Sequence, residues 1–432
     1  MELAIIVKQR AAVFIVKFHH FFLMFHLFFI LAFSVLTALT ACAQVAISAD
    51  LLFTMTGDFK PIKNGVVLCG ADGKIEAVGS ITDLKIPESY EIITAKVATP
   101  GFIDAHSTVG LSGILNAPRH DQEQLEGSAP SQPELRAIDA YNGRDPLVKW
   151  LRDLGVTTVH TGHAPGMLIS GQLMIVKTHV PSLTSSRDLL SEKSAIAVTL
   201  GAKALSKSPG TRSKAVAMLR GDFLKAQARL QKIEAAQNDE QKEVPDADLK
   251  LDALVEVLQK KTPLLINAQR HQDISAALRL REEFGFRLIL DGAAEAYLLL
   301  EEIKAAGVPV IIHPTMARPY GDLENMTFTL AAQLHKAGIL FAFQSGYEAY
   351  VPKTRVVHFE AAMAAAYGLP QEVALAACTI QAARILGLDE RIGSLEKGKD
   401  ADLVLFEGDP LETTTRTSAV IIEGKVVSDR AK

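Results

Sequence analysis

The stretch "ATPGFIDAHSTVGLSG" (98–113) decides how the rest of the chain is read. Pro100-Gly101 makes a turn, Phe102-Ile103 opens a short apolar strand, and the strand closes on Asp104-Ala105-His106. Side chains two apart on a strand share a face, so Asp104 falls on the side of His106, where it could orient the imidazole. A strand ending in His-x-His commonly delivers two imidazoles to one metal ion. Here the second of those positions is Thr108.

Short apolar runs of the same kind recur downstream. They are "GFIDAH" (101–106), "VTTVHT" (156–161), "LMIVKT" (173–178), "AIAVTL" (195–200), "PLLIN" (263–267), "RLILD" (287–291), "VPVIIH" (308–313) and "ILFAF" (339–343). Helical periodicity separates most of them. In 214–237, for example, Val216, Leu219, Phe223, Leu230 and Ile233 recur at helical spacings. Eight buried strands alternating with helices predict an α/β fold, a (β/α)8 TIM-like barrel, whose chemistry sits at the C-terminal strand ends. Residues 44–98 and 396–432 read instead as short strands with hairpin turns at Asp72-Gly73 and Glu423-Gly424. Neither end has enough strands to close a sheet. Both together form a small composite β-domain, with the barrel of 99–395 inserted between its halves. The polar segment 238–248 reads as a loop.

Hydrophobic residues at 48% and a formal charge of −4 support a large core and give no nucleic-acid footprint, so small molecules or proteins are the expected partners. Residues 1–43 carry Lys8, Arg10 and Lys17, then an apolar run from Phe21 to Leu39 and the small-residue stretch "LTACAQ", the order of an export signal. The protein is therefore expected to be exported, periplasmic or secreted. Cleavage after Ala43 leaves it soluble, whereas a lipid on Cys42 makes an anchored form. The apolar run is also about long enough to serve as an uncleaved membrane anchor. His19, His20 and His26 belong to that segment. Cys69 and Cys378 sit in apolar contexts, read as small buried hydrophobes, and no zinc spacing occurs.

Several polar residues converge on the predicted catalytic face. His106 ends the first barrel strand, and His160 and His163 lie at the end of the second and in its loop. Asn267 ends the fifth, Asp291 the sixth, and His313 the seventh, with Arg318 five residues further on. His106, His163, Asp291 and His313 are the candidate acid/base residues, and Asn267 and Arg318 the candidate substrate contacts. Each is also the kind of residue that caps a strand end and meets water. Lys177 ends the third strand and reads as a solvated lysine, with a base or carbamate carrier as the alternative. "GSLEKGKD" (393–400) fails as a phosphate loop, since Asp400 stands where Ser or Thr is needed and a strand follows where a helix should. "NMT" (325–327) is a weak glycosylation sequon, and no GxSxG elbow is present.

With "PGFIDAH", "AIDAYNGRDPLVKWLRDLGVTTVHT" and "TIQAARILGLDERIGSLEKGKDADLVL", the chain resembles the amidohydrolase superfamily, and within it the imidazolonepropionase-like branch. The likeness implies metal-assisted hydrolysis of C–N bonds in amides, ureas, cyclic imides or dipeptide-like substrates, with zinc or a similar ion and a strand-eight Asp. It also leaves room for a homo- or hetero-oligomer with a related amidohydrolase. Matched residue by residue, the implied metal site is depleted. His106 is the only ligand-type residue retained; Thr108, Ala202, Asn267 and Gly292 stand at other ligand positions, and Ser345-Gly346 where the catalytic Asp is expected. Zinc needs three or four strong donors, so no metal cofactor is expected here. The chain then reads either as a C–N hydrolase with a rearranged site, or as an inactive relative that binds a ligand or supports an active paralogue.

Overall fold

A computed structural model describes residues 44–114, 122–179, 189–205, 208–239, 241–347 and 356–429; the expected export segment and Cys42 lie outside these residues. Two sheets organise the described part. The first has seven strands: β1 (Val45–Leu52), β2 (Ile62–Cys69), β3 (Ile75–Ser80) and β4 (Glu91–Pro100) from the N-terminal side, and β13 (Leu403–Phe406), β14 (Thr417–Ile422) and β15 (Lys425–Asp429) from the C-terminal side. The halves join where β13 pairs antiparallel with β4, Leu405 opposite Ala98, giving the order β15-β14-β13-β4-β1-β2-β3. Val45, Ile47, Val67, Ile75, Leu403, Leu405 and Ile421 pack one side of it. This is the composite β-domain expected from the two termini.

The second sheet runs in chain order through β5 (Phe102–Ser107), β6 (Val156–Thr161), β7 (Ile169–Lys177), β8 (Leu189–Thr199), β9 (Leu264–Ala268), β10 (Leu288–Gly292), β11 (Val310–Ile312) and β12 (Phe341–Phe343). A parallel bridge between Ser107 and Gly346 brings its ends together into a barrel. Helices surround it, and the last of them reaches the interior cluster through Ala382, Ala383 and Ile385. They are α1 (Pro146–Asp153), α2 (Arg212–Asn238), α3 (Leu249–Leu258), α4 (His271–Phe284), α5 (Leu300–Ala306), α6 (Leu330–Ala337), α7 (Val357–Ala366), α8 (Gln371–Ala377) and α9 (Ile380–Leu386). None of the described helices is long and apolar enough to cross a membrane.

Strand parity explains what the barrel presents inside. Leu264, Ile266, Leu288, Leu290, Val310, Ile312, Phe341 and Phe343 join the helices in the larger core. Ile103, Ala105, Leu173, Ala197, Leu265, Ile289, Ile311 and Ala342 belong to the other cluster; side chains drawn from strands all around a barrel can meet only in its interior. The next inward position on each of four strands is then Asn267, Asp291, His313 and Gln344. An apolar floor and a polar layer above it follow from period two alone.

The strict alternation of strand and helix expected for a (β/α)8 barrel fails in one place. β7 is antiparallel to both neighbours, with Thr158 opposite Lys177 and Leu173 opposite Ala195. The segment 162–168 is too short for a helical crossover, and antiparallel strands alone tolerate so short a link. This reversal corrects the reading of Lys177. As the C-terminal residue of a reversed strand it lies at the barrel's bottom, away from the predicted catalytic face. It is also fully buried, neither solvated nor free to act as a base. Its Nζ lies 2.6 Å from Asp400, 3.1 Å from Asp402 and 3.2 Å from Glu423, so the cluster fastens the barrel to the β-domain. Burial would lower the Lys177 pKa, but Asp402, Asp400 and Glu423 outweigh it and the net shift is upward. Lys74 and Arg391 also pair with Asp400.

Candidate active site

The ladder between β5 and β6 slips near its end: Asp104 stands opposite Val159 but Ser107 opposite Thr161. Bulges of this kind re-aim side chains beside functional sites. The imidazole of His106, within this slipped stretch, reaches Asp291 of β10, with Nδ1 3.2 Å from Oδ1. Asn267 of β9, directly opposite Asp291 in register, donates from Nδ2 to Asp291 Oδ2 at 2.7 Å. Gln344 donates to Asp291 Oδ1 from the other side. One buried carboxylate thus accepts from three side chains. Burial pushes the Asp291 carboxyl up, but His106 and the hydrogen bonds from His106, Asn267 and Gln344 outweigh it and hold it below its ordinary value.

Asp104 does not orient His106, as its spacing had suggested. Its two oxygens accept from the backbone N–H and the hydroxyl of Ser345, the residue before Gly346, where the family's catalytic Asp was expected. Burial pushes Asp104 up to about 6 against the pull of those bonds. Thr108 turns away too, its hydroxyl 3.1 Å from that of Ser112.

The remaining candidates separate. Tyr347, which carried no signal in the sequence, forms a hub. Its hydroxyl accepts from Asn267 at 3.1 Å, and its ring lies 5.9 Å from that of His106 and 5.7 Å from that of His313. The Lys203 ammonium stands 4.3 Å from the centroid of the same ring. His160 Nδ1 donates to the Ala105 carbonyl at 2.7 Å, and its ring is 6.0 Å from that of His106. Burial, helped by His106, pushes His160 down to about 3. His163 is buried against Gly171, has no hydrogen bond to the others, and is pushed by burial down to about 4. Arg318 is exposed in the loop after β11 and stays outside the network. The structure therefore joins His106, Asp291 and Asn267, brings His313 against the same tyrosine, and leaves His163 and Arg318 apart. Gln344 and Tyr347 were missed. Strand parity flags Gln344 as inward-facing, whereas nothing in the sequence marks Tyr347.

These residues do not fit the binuclear metal centre that the sequence resemblance implies. Among the described residues no three His, Cys, Asp or Glu side chains are arranged to hold one ion. Asn267 spends its donor on Asp291, and Ala202 and Gly292 offer no side chain. The Gly292 position is closed as well. Its φ of +79° disfavours other residues, and a Cβ there would lie 2.2 Å from Gln269 Nε2. Gln269 is held in that space by the Ala294 N–H, 3.1 Å from its Oε1.

Comparison with known proteins agrees with the fold. The amidohydrolase family pattern matches residues 289–427. An amidohydrolase from Thermotoga maritima superposes with a TM-score of 0.82 at 30% identity, covering 89% of this chain and 100% of that one. A putative prolidase from Bifidobacterium longum shares the fold at a TM-score of 0.55 and 20% identity, over 90% of this chain and 95% of that one. The amidohydrolase tasK of Hapsidospora irregularis is 26% identical over 383 residues, 80% of this chain; the match spans only 38% of that protein's length. These relatives place the chain in the family without selecting one branch of it. The polar layer above a barrel floor, the composite β-domain and these similarities lead to one assignment: this chain belongs to the amidohydrolase family.

Proposed function

We propose that this chain uses the amidohydrolase barrel to hold a small-molecule ligand and does not hydrolyse C–N bonds by metal-activated water. The observation that carries this reading is how fully Asp291 is engaged by neighbouring side chains. A carboxylate that accepts from His106, Asn267 and Gln344 has three of its about four acceptor sites filled, which leaves at most one for an ion or an attacking water. At strand eight Gly346 stands where the carboxylate needed to take a proton was expected, and Ser345 beside it is bound to Asp104. The reading is tested by incubating purified protein with amide, cyclic imide and dipeptide substrates, beside its His106→Ala variant. No turnover above the variant is expected; hydrolysis abolished by His106→Ala contradicts the reading.

One observation favours a second reading. His106 Nε2 is buried without a hydrogen-bond partner while Nδ1 faces Asp291, the arrangement of a histidine general base steadied by a carboxylate. In that reading the barrel is a metal-free hydrolase. Turnover that survives chelators but not His106→Ala selects it.

A further inference from the structure

A cavity of about 380 Å³, within the size range of small-molecule sites, lies between α2 and α4 outside the barrel strands. None of the residues lining it belongs to the network around Asp291. Its walls are of two kinds. Leu200, Ala215, Val216 and Ala276 make an apolar side. Arg212 and Arg220 from α2 and Arg279 from α4 bring three guanidinium groups to the same space, and Asp273 is the one carboxylate among the described lining residues.

That carboxylate is already engaged. Arg212 donates to both of its oxygens, from Nε to Oδ1 at 2.8 Å and from Nη2 to Oδ2 at 3.0 Å. Arg220 grips Glu283, which does not line the cavity, in the same manner, with Nε 2.7 Å from Oε1 and Nη2 2.9 Å from Oε2. A fork of this kind fixes the guanidinium plane and leaves the Nη1 N–H groups for another acceptor. Arg279 has no ion pair or hydrogen bond among the described residues. A lining with surplus positive charge and open donors selects an anion. A carboxylate needs one guanidinium fork, whereas three guanidiniums arriving from two helices suit the several oxygens and double charge of a phosphate. The apolar side suits an organic group attached to that phosphate, which a free phosphate ion lacks.

We propose that this cavity is a second ligand site, which binds a small organic phosphate monoester through Arg212, Arg220 and Arg279. The site is separate from the barrel's polar layer, and the proposal stands whether or not that layer turns over a substrate.

Titration of phenyl phosphate, inorganic phosphate and phenol into purified protein carrying 13C-methyl alanine tests it, at about pH 7.5, where a phosphate monoester is mostly dianionic. Phenyl phosphate is expected to shift the methyl resonances of Ala215 and Ala276, which line the cavity, and to leave that of Ala105, inside the barrel, in place. It should bind about tenfold more tightly than inorganic phosphate, through the buried ring. Phenol, the same ring without the charge, should shift neither alanine. Arg279→Gln changes an exposed side chain and should weaken phenyl phosphate about tenfold, whereas Arg416→Gln, an exposed arginine of the β-domain, should leave it unchanged. No binding of phenyl phosphate, shifts confined to Ala105, equal binding of phenol, or equal affinity in the parent and Arg279→Gln overturns the proposal.

Discussion

Individual residues decide whether an amidohydrolase barrel can be an amidohydrolase, and here the decisive ones are bonded chiefly to one another. Asn267, Gln344 and Ser345 are not vacancies left by lost ligands. Each donates to a buried carboxylate, so the polar layer is a hydrogen-bond network that leaves His106 Nε2, His160 Nε2 and Gln344 Oε1 open. Restoring one ligand should therefore fail. Gly292→His places a side chain at positive φ and into Gln269, and should cost on the order of 2–5 kcal/mol with no metal affinity gained. Urea unfolding with and without added zinc measures both. A variant as stable as the parent that is further stabilised by zinc contradicts the account. The depletion of ligand residues was legible in the sequence, because Gly and Ala offer no donor in any fold. Their replacement by a network was not, since it depends on Tyr347 and Gln344 arriving from loops far along the chain. Asp104 shows the limit of spacing arguments: it shares a strand with His106, yet its partner is Ser345.

At the scale of elements, most of the architecture could be read directly. The eight apolar runs became the eight barrel strands, and hairpin patterns at both termini became one sheet. The direction of β7 could not be read. A strand buried on both faces is a continuous apolar run whichever way it points. That ambiguity put Lys177 at the wrong end of the barrel. The reversed strand brings Gly171 against His163, where a Cβ would lie 2.4 Å from Cδ2 of that ring. Gly171→Ala should then destabilise the protein by about 1–3 kcal/mol through overpacking. Chemical denaturation reads this, and a change within about 0.5 kcal/mol, the range of ordinary surface substitutions, counts against the described packing of β6 and β7.

For the whole molecule, the join between barrel and β-domain rests on the buried lysine cluster. Lys177→Met leaves Asp400, Asp402 and Glu423 facing one another with only Lys74 and Arg391 at the edge, and a loss of about 3–5 kcal/mol is expected from the uncompensated charge. A Lys177→Met protein with parental denaturation midpoint refutes that role. Acid stability has a definite sign. His160, His163 and His358 are pushed by burial to about 3, 4 and 3, while the unfolded chain protonates each near 6.5. Below about 6.5 the unfolded state binds the extra protons, so stability present above that pH is lost as pH falls towards 3. Asp104, raised to about 6, acts oppositely, favouring the folded state as pH falls from about 6 to 4, and Asp402, also pushed up by burial, acts in the same sense. Three histidines outweigh two carboxyls. The midpoint of unfolding should therefore fall steadily from pH 7 to pH 5, and a flat or rising profile contradicts the assigned burial.

The central claim is that this family member has exchanged its metal for a hydrogen-bond network. The most direct measurement is elemental analysis, by inductively coupled plasma mass spectrometry, of protein purified without chelators and then offered zinc, manganese and nickel before desalting. The account predicts well under one equivalent of any of them, unchanged by His106→Ala. One or two equivalents of a divalent metal, released by His106→Ala, would contradict it.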